Sequence, residues 1–401
     1  MKRILFVDDE QHVLDGLRDL LFKQRREWDM AFALGGEAAL GQMQSAPFDV
    51  IVSDLRMPGM DGAELLARVK QRFPATTRIV LAGHTELRAM ERAVAVAHQF
   101  LGKPCDSETL RVVIERTCTL QALLQDESIR RVVGNIDRLP SVPSTYVELT
   151  RAIGGQDASM AEIARIVESD PAMCGKLLQI VNSAYFGLAQ RMTSIRQAVS
   201  YLGLELLKGL VLNVHVFAAV QVAPSAGFSL DALQKHSLRT GRLARQFSKD
   251  PKLADDAFTA GVLHDIGKLV LAMCLQQRFG QVARAVVEHA RPFHLVEADL
   301  LGVTHAEIGA YLLGVWGLPF AVVEAVAHHH APSRVTGSSF EVVAVVHAAE
   351  VLAATLDPDP SEPMSDQELD LAALERAGLA GELPRWRALA QKEIDGVRRA
   401  G

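Results

Sequence analysis

Cysteine is scarce and scattered. The four thiols, Cys105, Cys118, Cys174 and Cys274, stand far apart with no CxxC spacing. They predict buried thiols in a reducing compartment, not a disulfide framework. A basic surplus is missing too: the net charge is −6 and the pI about 6.1. That argues against a nucleic-acid partner, which would leave a basic footprint. No apolar run reaches the length of a membrane span. The opening MKRILFVDDE has an apolar stretch too short for a secretory signal, and it ends in acids. Cytoplasmic residence with no membrane partner is the expectation. Internal repeats and long low-complexity stretches are absent, and no phosphate-loop pattern follows Gly35-Gly36 or Gly154-Gly155.

What is present is a well-filled globular chain. Its 401 residues are 49% apolar and 22% charged, enough for two or three domains with ample core. Up to about residue 105, short apolar runs alternate with amphipathic stretches. The runs are Ile4 to Val7, Met30 to Leu34, Val50 to Ser53, Arg78 to Ala82 and Gln99 to Gly102. Between them Val13 to Gln24, Gly36 to Gln44, Gly62 to Arg72 and Leu87 to Ala97 have helical periodicity. This alternation predicts a doubly wound, five-stranded parallel sheet, an α/β fold. A further helix is expected from Glu108 to about Gln125, capped by Asp106-Ser107.

In an open parallel sheet, ligands bind beyond the carboxyl ends of the strands. Asp8 and Asp9 end the first run, Asp54 ends the third, and Lys103 follows the fifth. Three carboxylates and an amine in one shallow pocket suit Mg²⁺ together with a phosphoryl group. Solvated loop acids or helix caps would explain any one of these residues alone, but not the set in this order.

After about Asp126 the strand signal vanishes and the rest reads as all α. Helices are expected at Met160 to Glu168, Pro171 to Val181, Ser194 to Tyr201, Leu204 to Val220, Leu230 to Ser248, Asp255 to Leu275, Gly280 to Arg291, His305 to Trp316, Phe320 to His330 and Phe340 to Thr355. Asp170-Pro171 supplies an N-cap with proline at the first helical position. Four segments result: 1–120, a connector at 121–135, a helical domain at 136–356, and a linker with a helical tail at 357–401.

The acidic pair in FVDDE, the aspartate in IVSDLRMPGMDG and the lysine in FLGKP resemble the receiver domain of two-component response regulators. The resemblance covers residues 1–120. It implies that a sensor histidine kinase phosphorylates Asp54, and that Asp8, Asp9, Asp54 and the Arg56 carbonyl hold Mg²⁺. Lys103 would contact the phosphoryl group. One departure stands out: the family's switch hydroxyl falls at Ala82, and its switch aromatic at Phe100, which has no phenol. Alanine cannot hydrogen-bond a phosphoryl oxygen, so output is expected to run on charge at Asp54 and on movement of the loop after Ala82.

The segments LPSVPSTYVEL, IVESDPAMCGKLLQIVNSAYFG, AGVLHDIGKLVL, THAEIGAYLLGVWGLP and AVAHHHAP resemble the HDOD domain, a relative of the HD phosphohydrolases. By that resemblance His236, His264, Asp265 and Glu350 are candidate metal ligands, with glutamate standing where the HD family has aspartate. His264 and Asp265 are expected on one helix. His305, His329 and His330 are candidates for a second metal, and Lys268 for a phosphate contact. Imidazole suits Fe, Mn, Zn or Ni. The Gly-Tyr-Pro continuation of the cyclic-dinucleotide branch is absent after His330. Two outputs follow: an interaction module that captures a partner protein or second messenger, or a metal-dependent phosphohydrolase acting on a nucleotide or cyclic dinucleotide. A homodimer stays open. His84, His98, His215, His289 and His294 are expected to be ordinary core residues.

Overall fold

The computed structural model describes residues 1–82, 92–93, 96–123, 127–134, 136, 139–141, 143–154, 159–182, 191–208, 211, 218–219, 229–335, 340–356 and 368–400. The chain divides into two compact units. The first comprises Met1–Arg138 with Gln179–Arg191 and Tyr311–Gly317, and the second comprises the remainder.

The first unit is built on a five-stranded parallel sheet of order β2-β1-β3-β4-β5. The strands are β1 (Lys2–Asp8), β2 (Trp28–Leu34), β3 (Val50–Asp54), β4 (Thr77–Ala82) and β5 (Gln99–Gly102). The near-continuous apolar sequences of β1, β3 and β4 reflect burial on both faces, whereas the edge strand β2 is only partly buried. Ile4, Phe6, Val50, Val52, Ile79, Leu81 and Leu101 form one core with Leu14, Leu110 and Ile114 from the covering helices. Those helices are Gln11–Leu20, Gly36–Ser45, Gly62–Arg72 and Ser107–Leu123, and a shorter one, Glu127–Gly134, follows. Asp106 caps the fourth as expected: its carboxylate accepts from the Thr109 amide at 2.8 Å. The expected helix from Leu87 to Ala97 lies largely outside the described residues.

The second unit is helical with one correction. Pro140–Ser141 and Ala218–Ala219 pair as a two-residue parallel ladder, so the segment is not purely α. Ala218–Ala219 also falls inside the stretch expected as a helix from Leu204 to Val220. A pairing this short leaves no alternation to read. Met160–Glu168 and Pro171–Val181 form as expected, the second capped by Asp170, whose carboxylate accepts from the Met173 amide at 3.0 Å. Two helices were not anticipated, Pro143–Gly154 and Phe293–Leu301. The linker residues 357–367 lie outside the described residues. The C-terminal helices Leu371–Arg376 and Leu383–Ala400 are part of this unit. Trp386 is fully buried and stacks on Phe247, ring centroids 4.8 Å apart.

Two further corrections concern single residues. His264 and Asp265 do not share a helix: they occupy a turn between Pro251–Leu263 and Ile266–Cys274. The apolar pattern runs through the turn without a gap, so nothing in the periodicity marks it. Cys274, expected to be buried, is exposed where that second helix ends. The stretch Leu253–Cys274 is apolar enough to cross a membrane, but 89% of its most apolar window is buried inside the protein. Burial of that kind marks a core element.

Candidate functional sites: an acidic rim and a histidine cluster

The sheet order places β1 and β3 side by side, with β2 beyond β1 and β4 beyond β3. The order in which strands are added reverses at that point, and the crevice opens outside the strand ends. Asp8 and Asp54 are therefore neighbours at the rim, and both side chains are buried. Lys103, one residue past β5, reaches across: its Nζ lies 3.1 Å from Asp8 Oδ2 and in direct contact with Asp54 Oδ1. The Arg56 amide donates to Asp54 Oδ2 at 3.0 Å, and the Glu10 amide to Asp8 Oδ1 at 3.0 Å. Burial pushes the Asp54 carboxyl up. Lys103 pulls it down, the Asp8 charge pushes it up again and the Arg56 amide lowers it, leaving a net rise. Two buried carboxylates that repel each other are a donor set that a hard divalent cation fits. Asp9 sits half-buried at the turn after β1.

Ala82 ends β4, buried, and its carbonyl accepts from the Lys103 amide at 2.9 Å. The methyl offers nothing to a phosphoryl oxygen. Phe100 is buried in β5. The loop after Ala82 and His84 lie outside the described residues. His98 is a satisfied core histidine, as expected: its Nδ1 accepts from the Arg78 amide at 3.0 Å.

In the helical unit, six segments converge. Helix Leu230–Phe247 carries His236, the turn after Leu263 carries His264 and Asp265, and Ile266–Cys274 carries Lys268. His305 opens the helix His305–Val315, His329 and His330 follow Phe320–His328, and Glu350 lies in Phe340–Leu356. Backbone contacts set the spacing. A Cβ on Gly261 would lie 2.7 Å from the Cα of Gly241, so only glycines let those two helices meet this closely. A Cβ on Gly267 would lie 1.9 Å from the His305 carbonyl oxygen, so Gly267 brings His305 up to Asp265. Thr304 and Glu307 form a capping box that fixes where the His305 helix begins: the Thr304 amide donates to Glu307 Oε2 at 2.8 Å, and the Glu307 amide donates to Thr304 Oγ1 at 3.3 Å.

Asp265 is the hub. Its Oδ2 lies 3.3 Å from His264 Nε2, 3.9 Å from His236 Nε2 and 2.9 Å from Lys268 Nζ, and its Oδ1 lies 3.1 Å from His305 Nε2. Glu350 closes the far side, Oε2 at 3.9 Å from His329 Nε2 and Oε1 at 3.6 Å from His330 Nδ1. The ligand atoms of His236, His264 and Asp265 all lie within 4.8 Å of one another, as do those of His305, His329 and His330. The sequence-derived residues thus come together, as two adjoining groups of three plus Glu350 and Lys268.

The tautomers are the test of fit for a metal. His264 Nδ1–H donates to the Gly261 carbonyl at 2.7 Å and His329 Nδ1–H to the Val326 carbonyl at 2.8 Å. Each arrangement leaves the Nε2 lone pair facing inward, as in metal-binding histidines whose other nitrogen is held. Nε2 of both residues, Asp265 Oδ1, His330 Nδ1 and Glu350 Oε2 are all buried without a hydrogen-bond partner of sound geometry. Orphaned buried polar atoms are rare and call for an explanation. A cation bound by imidazoles and carboxylates supplies one.

The charge pattern is mixed: burial opposes charge on His264, but Asp265 outweighs it and raises the pKa. Burial raises the Glu350 carboxyl to about 7 against the pull of His264. Burial and the neighbouring imidazoles hold His329 and His330 well below the usual histidine range. His305 goes the other way: burial opposes its charge, but Glu297 and Asp265 outweigh it and hold the pKa at about 9.

Sequence reading missed Glu297. Its Oε2 accepts from His305 Nδ1 at 2.6 Å and from the His305 amide at 2.8 Å. It comes from the unanticipated helix Phe293–Leu301, which also carries Asp299, so no sequence signal singled Glu297 out. His294, expected to be an ordinary core residue, instead stacks on His330 with ring centroids 4.0 Å apart. Lys268 Nζ, the candidate phosphate contact, pairs with Asp265 Oδ2 at 2.9 Å and has two further N–H donors.

Comparison with known proteins agrees with this geometry. A family model for the response regulator receiver domain matches residues 4–115, and one for the HDOD domain matches residues 139–332. An uncharacterized protein of Treponema pallidum is 29% identical over 238 residues, 56% of this chain and 46% of that protein. The uncharacterized transcriptional regulatory protein YesN of Bacillus subtilis is 31% identical over 118 residues, 27% of this chain and 30% of its own length. The chain thus spans less than half the length of these curated relatives. A solved structure of a virulence factor from Campylobacter jejuni has a TM-score of 0.50 at 19% identity, covering 66% of this chain and 99% of that one, a likeness of fold. The chain belongs to the response regulators, with a receiver domain followed by an HDOD domain.

Proposed function

We propose that a sensor histidine kinase phosphorylates Asp54 and that the modified receiver controls the HDOD domain as a signalling output in the cytoplasm. The observation that carries this reading is Lys103 held between Asp8 and Asp54. In the transfer, an Asp54 carboxylate oxygen forms a bond to phosphorus as the phosphorus–nitrogen bond of the kinase phosphohistidine breaks. Lys103 meets the phosphoryl oxygens, and the Arg56 amide keeps the carboxylate oriented. Asp8, Asp9, Asp54 and the Arg56 carbonyl would hold Mg²⁺, which when bound neutralises charge on the transferring group. The test is intact-mass measurement after treatment with acetyl phosphate and Mg²⁺. One phosphoryl addition is expected, and none would contradict the reading.

Ala82 shapes how the signal leaves the receiver. With no hydroxyl at that position, output rests on charge at Asp54. Ala82→Thr is therefore expected to leave phosphorylation-dependent behaviour unchanged, read as hydrogen exchange or solution scattering with and without acetyl phosphate. A large gain in response would count against a charge-driven switch.

The inward-facing imidazoles and the orphaned carboxylate atoms favour a second reading, in which the HDOD domain is a metal-dependent phosphohydrolase. His236, His264, Asp265 and Glu350 would hold one ion of the Fe, Mn, Zn or Ni class, with His305, His329 and His330 available for another. Such ions supply an activated water and a clamp on a phosphodiester. Glu297 would keep His305 in its working tautomer, and Lys268 would balance the Asp265 charge. Hydrolysis of cyclic dinucleotides by the protein reloaded with Mn²⁺ or Fe²⁺ is the deciding assay. No turnover with the metals bound would leave the binding-module reading, in which the output captures a partner protein or a second messenger.

A further inference from the structure

The HDOD family match ends at residue 332, yet the turn that carries His329 and His330 is fastened from beyond that point. His347, in helix Phe340–Leu356, is 1% exposed. Its Nδ1–H donates to the His329 carbonyl at 2.7 Å, and its Nε2 accepts from the Asp370 amide at 2.9 Å. One neutral imidazole thus ties a ligand residue to the start of the C-terminal segment. Asp370 is held three ways: its amide meets His347, its Oδ1 accepts from the Ala373 amide at 2.9 Å, and its Oδ2 accepts from the Ser333 hydroxyl. Arg376, at the far end of the same short helix, donates to the carbonyls of Pro332 at 3.3 Å, Ser333 at 3.2 Å and Val335 at 2.8 Å. It also lies over the Phe340 ring, 4.0 Å from the centroid.

Short turns that carry two adjacent ligands need their backbone fixed, because each ligand's reach follows the turn's dihedrals. The segment Asp370–Arg376 supplies that constraint from one side and His347 from the other. We propose that the C-terminal segment beginning at Asp370 is a clamp that positions the His329–His330 pair for metal binding, with His347 and Arg376 as its positioning residues. This inference rests on the metal reading of the histidine cluster.

The test uses the full chain, stripped of metal and titrated with Co²⁺, whose visible spectrum reports the ligand set. Arg376→Ala is the main variant because its side chain is exposed and its loss leaves the core intact. His347→Leu cuts the other tie, and His347→Asn restores a donor to the His329 carbonyl. Co²⁺ affinity is expected to fall about 10-fold in Arg376→Ala and His347→Leu, with an altered spectrum, and to recover in part in His347→Asn. Amide exchange across residues 329–335, measured in chelator, is expected to rise in Arg376→Ala while the melting temperature of the metal-free chain barely moves. Wild-type Co²⁺ affinity and spectrum in Arg376→Ala overturn the clamp, even if exchange rises. If the unaltered protein takes up no Co²⁺, the metal reading falls instead, and the exchange measurement alone decides whether the segment holds the turn.

Discussion

Asp54→Asn is expected to abolish phosphorylation by acetyl phosphate outright while raising the thermal stability of the chain at neutral pH. The first half follows from chemistry: an amide has no anionic oxygen to attack phosphorus. The second half follows from burial. Asp54 is a buried carboxylate beside the buried Asp8, and its pKa is raised despite Lys103. A carboxyl raised in the folded state binds its proton more tightly there than in the unfolded chain. Stability is then fully present below the ordinary carboxylate range and is lost as pH rises through the folded pKa. The neutral amide escapes that loss, so the stabilisation should shrink as pH falls into the range where Asp54 itself is protonated. Melting temperatures of both proteins from pH 3 to 8, on the order of half-unit steps, check the sign. A variant less stable than the parent at pH 7 would show that the Lys103 contact outweighs burial.

The second large effect is at Asp265. This residue is fully buried, with Lys268 at 2.9 Å and His305 at 3.1 Å. Removing it strands the buried Lys268 ammonium without its counter-charge, while the His305 imidazolium keeps Glu297. Breaking a buried ion pair in this way costs about 3–5 kcal/mol. Asp265→Ala is therefore expected to lower the unfolding free energy of the metal-free chain by about that amount, read by denaturant titration in chelator, and to eliminate bound transition metal, read by elemental analysis. Asp265→Asn keeps the shape and should lose metal with a smaller loss of stability. Undiminished metal content in either variant would remove Asp265 from the ligand set.

The sequence was most legible where burial imposes a simple period. Gln99–Gly102 and Gly62–Arg72 emerged at the expected bounds because a two-sided apolar run or one apolar stripe is enough to mark them. The acidic rim was legible because strand ends converge wherever parallel strands share a sheet. The histidine cluster was named residue by residue, but its geometry was not. The turn at His264–Asp265 depends on Gly267 reaching the His305 backbone, a tertiary contact that local periodicity cannot register. Glu297 escaped for a related reason: its partner His305 sits across a turn, in the next helix. The C-terminal segment read as a tail because its amphipathic pattern does not say which surface it covers. Trp386 stacked on Phe247 supplies that answer only in three dimensions.

The most direct test of the account is amide hydrogen exchange on the full chain, before and after stoichiometric phosphorylation at Asp54. Altered protection is expected within residues 139–332 as well as at the receiver rim. Protection across the HDOD domain that stays the same while Asp54 is fully phosphorylated would contradict it.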